Sequence, residues 1–345
     1  MTTSTQVRVG ARAGRAMAVI GAGSWGTALA VHLARTLQPT VLWGLAPPSM
    51  DDLARERVNR RYLPEAPFPD ALEIAPTLEA AVAAADELLI AVPSHAFRAC
   101  LDQVARLLKP GMRIAWATKG FELETGKLPH QVATEVLGLD VPTAVLSGPT
   151  FAREVGLGLP TAMTVASRDR DYAMELAQRL SGANFRAYAS TDMTGVEVGG
   201  ATKNVLAIGA GISDGLGFGA NTRVALITRG LAEMMRLGVA LGAQKDTFMG
   251  LTGLGDLVLT CTDDQSRNRR FGLALAAGKS GEDAQREIGQ VVEGVLAARA
   301  VASVARTYRV EMPIAEQICK VIYEGAPPRD AVAALMGRAI KAETQ

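Results

Sequence analysis

The chain has 345 residues, too long for one ordinary compact core and short for three, so two domains are expected. Its 36 Lys and Arg balance 35 Asp and Glu, which excludes a broad electrostatic grip on nucleic acid and confines any anion site to a local cluster. Three scattered cysteines and three histidines leave no disulfide framework, metal site or histidine triad to build on, and every apolar run of membrane-spanning length is interrupted by charge, so a cytoplasmic protein without stable membrane insertion is expected.

Residues 1–16, MTTSTQVRVGARAGRA, carry Arg8, Arg12 and Arg15 without an acid and read as a disordered basic tail. Met17 directly precedes the first strand, which makes it a candidate start of translation. From 17 to 190, short apolar runs alternate with helical stretches. Strands are expected at Ala18 to Ile20, Thr40 to Trp43, Leu88 to Val92, Arg113 to Thr118, Ala144 to Ser147, Ala162 to Ala166 and Phe185 to Tyr188. Continuous apolar strands belong inside a parallel sheet covered on both faces, so this half predicts a doubly wound α/β domain. After Thr191 the strand signal stops, and helices are expected at Glu197 to Ile212, Val224 to Leu241, Phe271 to Ala277, Val291 to Tyr308 and Pro313 to Tyr323. Residues 191–340 are therefore expected to form an all-helical domain, packed on the first across a cleft.

The first strand runs into GAGSWG. In that spacing Gly21 makes the tight turn, Gly23 admits a pyrophosphate to the backbone, and Gly26 lets the following helix pack on the sheet. The free N–H groups and dipole of the helix start then face the anion. No acid stands in LWGLAPPSM at the end of the second strand, where a site for NAD usually places one. That removes an obstacle to a 2'-phosphate, and Arg55 or Arg57 is a candidate to reach it, so NAD or NADP is expected, with NADP favoured.

In GVEVGGATKNVLAIGAGISDGLGFG (195–219), Lys203 and Asn204 sit in a helix otherwise made of small and apolar residues. Burial lowers the proton affinity of such an ammonium toward working pH, while a nearby carboxylate holds it charged, and it then serves as an acid toward a developing alkoxide. His95, in VPSHAF, is a rival for that role. In LTGLGDLVLTCTDDQSRNRRFG (251–272), Asp256 lies in a glycine bend, and Ser266, Arg267, Asn268, Arg269 and Arg270 form the densest basic cluster, suited to one small phosphate. WATKG places Lys119 beyond the carboxyl end of a strand, and SGPTFA (147–152) makes another Gly/Pro turn there, where open α/β sheets bind ligands.

Taken in order, GAGSWGTALA, LWG, AVPSH, WATKG, SGPTFAREV, GATKNVLAIGAGISDGLGFGANT, GLGDLVLTCT, QSRNRRFG and VVEG closely resemble the bacterial NAD(P)-dependent glycerol-3-phosphate dehydrogenases, from about Met17 to Arg338. The resemblance implies a Rossmann domain followed by a helical domain. It also implies reversible hydride exchange between sn-glycerol 3-phosphate and dihydroxyacetone phosphate, supplying glycerol 3-phosphate for phospholipid synthesis. By position it makes Lys203 the proton-exchanging lysine. It puts Lys119 near both cofactor and substrate, and Gly148, Thr150, Asp256, Ser266, Arg267 and Asn268 at the substrate. Ser24, Trp25, Ala152, Val291 and Glu293 fall at cofactor contacts, as does Leu45, where relatives often carry a basic residue or histidine beside the adenosine ribose. Arg267 is expected to serve the cofactor as well as the substrate. A homodimer acting on a small phosphorylated molecule, with no nucleic-acid partner, is expected. The alternatives are a related lysine-dependent dehydrogenase of β-hydroxyacids, or a nucleotide sensor or nucleic-acid binder using the RNRR cluster.

Overall fold

The structure, a computed structural model, describes residues 15–45 and 47–339. Of the expected basic tail, residues 1–14 lie outside the described residues. The Arg15 carbonyl accepts from Arg179 Nη2 (2.8 Å) and the Ala16 N–H donates to Asp86 (3.2 Å).

The first part of the chain supplies the strands β1 (Met17–Ile20), β2 (Thr40–Trp43), β3 (Val58–Asn59), β4 (Leu63–Pro67), β5 (Leu72–Ile74), β6 (Glu87–Ile90), β7 (Arg113–Trp116), β8 (Thr143–Ser147), β9 (Thr161–Ala166) and β10 (Phe185–Ser190). Interleaved with them are helices α1 (Ser24–Arg35), α2 (Met50–Glu56), α3 (Leu78–Ala83), α4 (Ser94–Ala105), α5 (Pro129–Leu137), α6 (Ala152–Leu157) and α7 (Arg170–Leu180). The remainder is helical: α8 (Met193–Gly215), α9 (Ala220–Ala240), a 3₁₀ turn (Lys245–Met249), a π turn (Leu251–Gly255), α10 (Asp256–Thr262), α11 (Arg267–Ala276), α12 (Gly281–Ile288), α13 (Glu293–Thr307), α14 (Pro313–Tyr323) and α15 (Pro328–Met336).

Eight strands form one sheet in the order β10-β9-β8-β7-β6-β1-β2-β5, while β3 and β4 form a separate antiparallel hairpin. All seven strands expected from the sequence are present. The sheet departs from the all-parallel expectation at one pair, because β9 runs antiparallel to β8 and β10 then runs parallel to β9. Between β8 and β9 the chain places α6 against α1 instead of across the sheet, so β9 begins at the end where β8 finishes. Strand β5 and the β3–β4 hairpin escaped sequence reading because they are short, and Pro64 and Pro67 give the hairpin the look of a loop.

Every residue of β1, β6 and β7 is buried, as continuous apolar runs require, yet β6 and β7 each begin with a charge. Glu87 is fully buried and accepts from Arg113 Nη2 (3.1 Å), from Arg179 Nη1 and from the Tyr172 hydroxyl (2.6 Å), while Arg113 also donates to Glu175 (2.7 Å). Burial, followed by the Glu87 charge, pushes the Tyr172 phenol well above its usual range and keeps it a donor. This network closes the amino end of the sheet. The carboxyl end is left for ligands.

Helix α8 is the axis of the helical part, buried from Gly195 to Ser213. At its crossing with α11 the backbones nearly touch: a Cβ on Gly211 would lie 2.0 Å from the Arg269 carbonyl oxygen, and one on Gly272 would lie 2.1 Å from that of Ile208. Only hydrogen fits at both positions, and the approach sets Lys203 and Asn204 beside the start of α11.

Removing the Glu87 carboxylate leaves Arg179 Nη1 and the Tyr172 hydroxyl without their buried acceptor, while Arg113 keeps only Glu175. Glu87→Ala is expected to lower unfolding stability by about 3–5 kcal/mol. Cofactor binding should be little changed, because the network lies at the sheet end opposite the cleft; urea unfolding and calorimetric titration check both.

Candidate active site

The glycine turn has no room for side chains where it packs and open space where a ligand would lie. At Gly21, φ is +125° and a Cβ would lie 2.6 Å from the Ala91 carbonyl oxygen; at Gly26 a Cβ would lie 1.8 Å from that of Gly21. At Gly23 nothing stands within 4 Å. The helix beginning at Ser24 has no side-chain cap, so its first N–H groups remain available to an anion. Trp25 Nε1 is buried without a hydrogen-bond partner in the structure. These features fit a dinucleotide pyrophosphate.

From this turn a cleft of about 490 Å³ opens toward the helical part of the chain. Ser24, Trp25, Lys119, Thr150 and Ala152 line it on one side, and Lys203, Ser266, Arg267, Asn268 and Glu293 on the other. Asp256 lies behind this surface, fully buried, between the two lysines: Lys119 Nζ donates to one carboxylate oxygen (2.8 Å) and Lys203 Nζ to the other. Lys203 also donates to Thr260 Oγ1 (3.2 Å), whose hydroxyl donates to the Asp256 carbonyl (2.6 Å). Lys119 further approaches the Gly148 carbonyl (3.4 Å), which also accepts from Thr150 Oγ1 (3.2 Å).

Burial alone raises the Asp256 carboxyl, but the adjacent Lys119 and Lys203 ammoniums outweigh it and hold the group below its ordinary value. For Lys203 the balance falls the other way. Desolvation dominates, Asp256 opposes it, Lys119 adds to it, and the amine is lowered to about 8. It can therefore both hold and release a proton near neutral pH.

The opposite wall begins at α11. Ser266 caps that helix, its Oγ accepting from the Arg269 N–H (3.2 Å). Arg267 reaches Gln290 Oε1 (3.3 Å), and Asn268 links three elements, donating to Asn204 Oδ1 (2.9 Å) and accepting from the Gly294 N–H (2.8 Å). Asn204 in turn donates to Glu293 (3.2 Å). The basic run divides by helical phase: Arg267 and Arg270 line the cleft, while Arg269 turns away to Asp214 (2.7 Å) and Asp264.

Other residues singled out in the sequence lie outside the cleft lining. Leu45, beyond β2, is 76% exposed, and Val291 is 47% exposed beside Gln290. His95 is exposed in the first turn of α4 and is not among the residues that line the cleft. Arg55 is taken up by Asp52, and Arg57 donates to the carbonyls of Leu72 (2.8 Å) and Pro69 (2.6 Å), so neither candidate for a 2'-phosphate is free. Sequence reading missed Thr260, although its place one helical turn after Asp256 could have revealed it. It also missed Glu197, which accepts from Trp116 Nε1 (3.0 Å) and from the His130 N–H (3.0 Å), binding α8 to the strand that leads to Lys119.

A Rossmann-type sheet ending in a ligand-ready glycine turn, joined to helices that present a buried lysine of lowered proton affinity, defines an NAD(P)-dependent dehydrogenase. Family models described as the N-terminus and C-terminus of NAD-dependent glycerol-3-phosphate dehydrogenase match residues 16–173 and 192–333. The chain is 57% identical over 324 residues to the glycerol-3-phosphate dehydrogenase [NAD(P)+] of Aeromonas salmonicida, covering 94% of this chain and 97% of the relative. It is 55% identical over 328 residues to that of Shigella boydii, covering 95% and 97%. The crystal structure of glycerol-3-phosphate dehydrogenase from Coxiella burnetii superposes with a TM-score of 0.91 at 46% identity, covering 95% of this chain and all of the other. The chain belongs to the NAD-dependent glycerol-3-phosphate dehydrogenase family.

The charge balance around Asp256 is open to direct measurement. Asp256→Asn removes the group that opposes Lys203 desolvation, so the Lys203 amine is expected to titrate below about 8, as read from the chemical shifts of isotopically labelled lysine side chains. An unchanged titration would contradict the account.

Proposed function

We propose that this protein interconverts sn-glycerol 3-phosphate and dihydroxyacetone phosphate with NAD or NADP, supplying glycerol 3-phosphate for phospholipid synthesis. The observation that carries the reading is the Lys203–Asp256–Lys119 cluster facing the start of α11 across one cleft. In this reading residues 17–190 hold the dinucleotide and residues 191–340 hold the substrate.

When bound, the cofactor supplies or accepts the hydride. Lys203 gives its proton to the C2 oxygen as the ketone is reduced and takes it back during oxidation. Asp256 holds the two lysines in place and compensates their charge in a site with little water, so both arrive oriented for reaction. Lys119, beyond the carboxyl end of β7, serves both ligands. Ser266, Arg267 and Asn268 receive the substrate phosphate at the start of α11, where free N–H groups and a guanidinium converge, with Gly148 and Thr150 beside it. Gly21, Gly23, Ser24, Trp25 and Gly26 hold the pyrophosphate, with Ala152, Val291, Glu293 and Arg267 further along the cofactor and Leu45 beside its adenosine end.

The open place left by a missing second-strand acid supports a preference for NADP. Three free cysteines support a cytoplasmic setting. The reading includes a homodimer.

Oxidation of NADPH and NADH in the presence of dihydroxyacetone phosphate tests the reading directly. Lys203→Ala is expected to lower turnover by about 10²- to 10⁴-fold with cofactor affinity little changed. Because the protonated amine is needed, kcat/KM for ketone reduction should fall as pH rises through about 8, while oxidation of the alcohol should rise over the same interval. Arg267→Ala should raise KM for dihydroxyacetone phosphate far more than it lowers kcat; an unchanged kcat/KM would remove the guanidinium from phosphate recognition.

A further inference from the structure

The cleft has a third wall, the β3–β4 hairpin, which contributes Arg61 and Tyr62. This hairpin is pinned to the glycine turn. Asn59 is fully buried, and its Nδ2 donates both to the Ala22 carbonyl (2.9 Å) and to Thr27 Oγ1 (2.9 Å) in the first turns of α1. Its Oδ1 accepts from the Tyr62 N–H (3.2 Å), so the same side chain also closes the tight turn that carries Arg60 and Arg61. The position of Arg61 is thus tied to the backbone that would cradle a pyrophosphate.

Charge accounting isolates this residue. Of the four arginines between 55 and 61, Arg55 pairs with Asp52, Arg57 holds two carbonyls, and Arg60 pairs with Glu56 (2.8 Å). The carboxylate on the opposite limb, Glu65, pairs with Arg153 (3.3 Å). Among the described residues Arg61 has no ion pair and no hydrogen bond; its guanidinium lies over the Tyr62 ring, 5.4 Å from the centroid. Stacking on an aromatic face fixes the plane of a guanidinium while leaving its N–H edge free to receive a phosphate.

We propose that Arg61 is a phosphate-binding residue of the dinucleotide site, held ready by the Asn59 clamp. The inference rests on the dinucleotide reading above and deepens it, because it replaces Arg55 and Arg57 with a residue whose charge is available. Its ligand is a cofactor phosphate, either the 2'-phosphate that only NADPH carries or the pyrophosphate common to both cofactors.

Calorimetric titration of NADPH and NADH into the intact protein without substrate tests this. Arg61→Ala is expected to weaken NADPH binding about five- to thirtyfold, the low end for a charge-assisted hydrogen bond because the residue is open to water. Loss confined to NADPH assigns the 2'-phosphate, and equal loss for NADH assigns the pyrophosphate; either supports the proposal. Arg60→Ala, one residue away and turned to Glu56, should leave both affinities unchanged. NADPH affinity altered less than about twofold by Arg61→Ala, or altered equally by Arg60→Ala, would overturn it. A wild-type protein that bound neither cofactor would instead refute the dinucleotide reading itself.

Discussion

Two ammonium groups share one buried carboxylate, and the site is organised around that sharing. Asp256 has no route to water, and either lysine alone could neutralise it. With both present the cluster carries a net positive charge in a poorly solvated place, an arrangement that costs stability unless an anion completes it. Burial of Lys203 beside this cluster loosens its proton. A negatively charged ligand entering the cleft would relieve the excess, so binding and proton affinity are coupled through a single side chain.

The three groups come from three different pieces of chain: the loop after β7, the middle of α8 and the first residue of α10. Their convergence depends on contacts that carry no chemistry of their own. Glu197 ties α8 to β7 through Trp116, and the glycine-lined crossing of α8 and α11 fixes the distance to the second wall. Stability and reactivity are separated along the sheet as well. The ionic network around Glu87 closes one end, while the other remains open to ligands.

Much of this was legible in the sequence because the relevant signals are local. Continuous apolar runs located the inner strands, glycine spacing located the tight turn between β1 and α1, and a lysine among small apolar residues announced its own burial. What escaped has a common physical character. The reversal of β9 depends on where α6 packs, which no periodicity records. Strand β5 is too short, and the hairpin too short and too rich in proline, to show a period. Arg55 and Arg57 were plausible phosphate ligands until their carboxylate and carbonyl partners became visible. The RNRR run read as one basic cluster, whereas helical phase divides it between the cleft and Asp214.

Lys203 and Asn204 are neighbours in sequence but look in different directions, one toward α10 and the other toward α11 and α13. Successive residues on an α-helix are turned by about 100°, so α8 acts as an angular gauge that turns one residue to a buried carboxylate and the next to an amide relay. Gaining or losing one residue within its buried stretch would exchange those bearings and misalign both walls together.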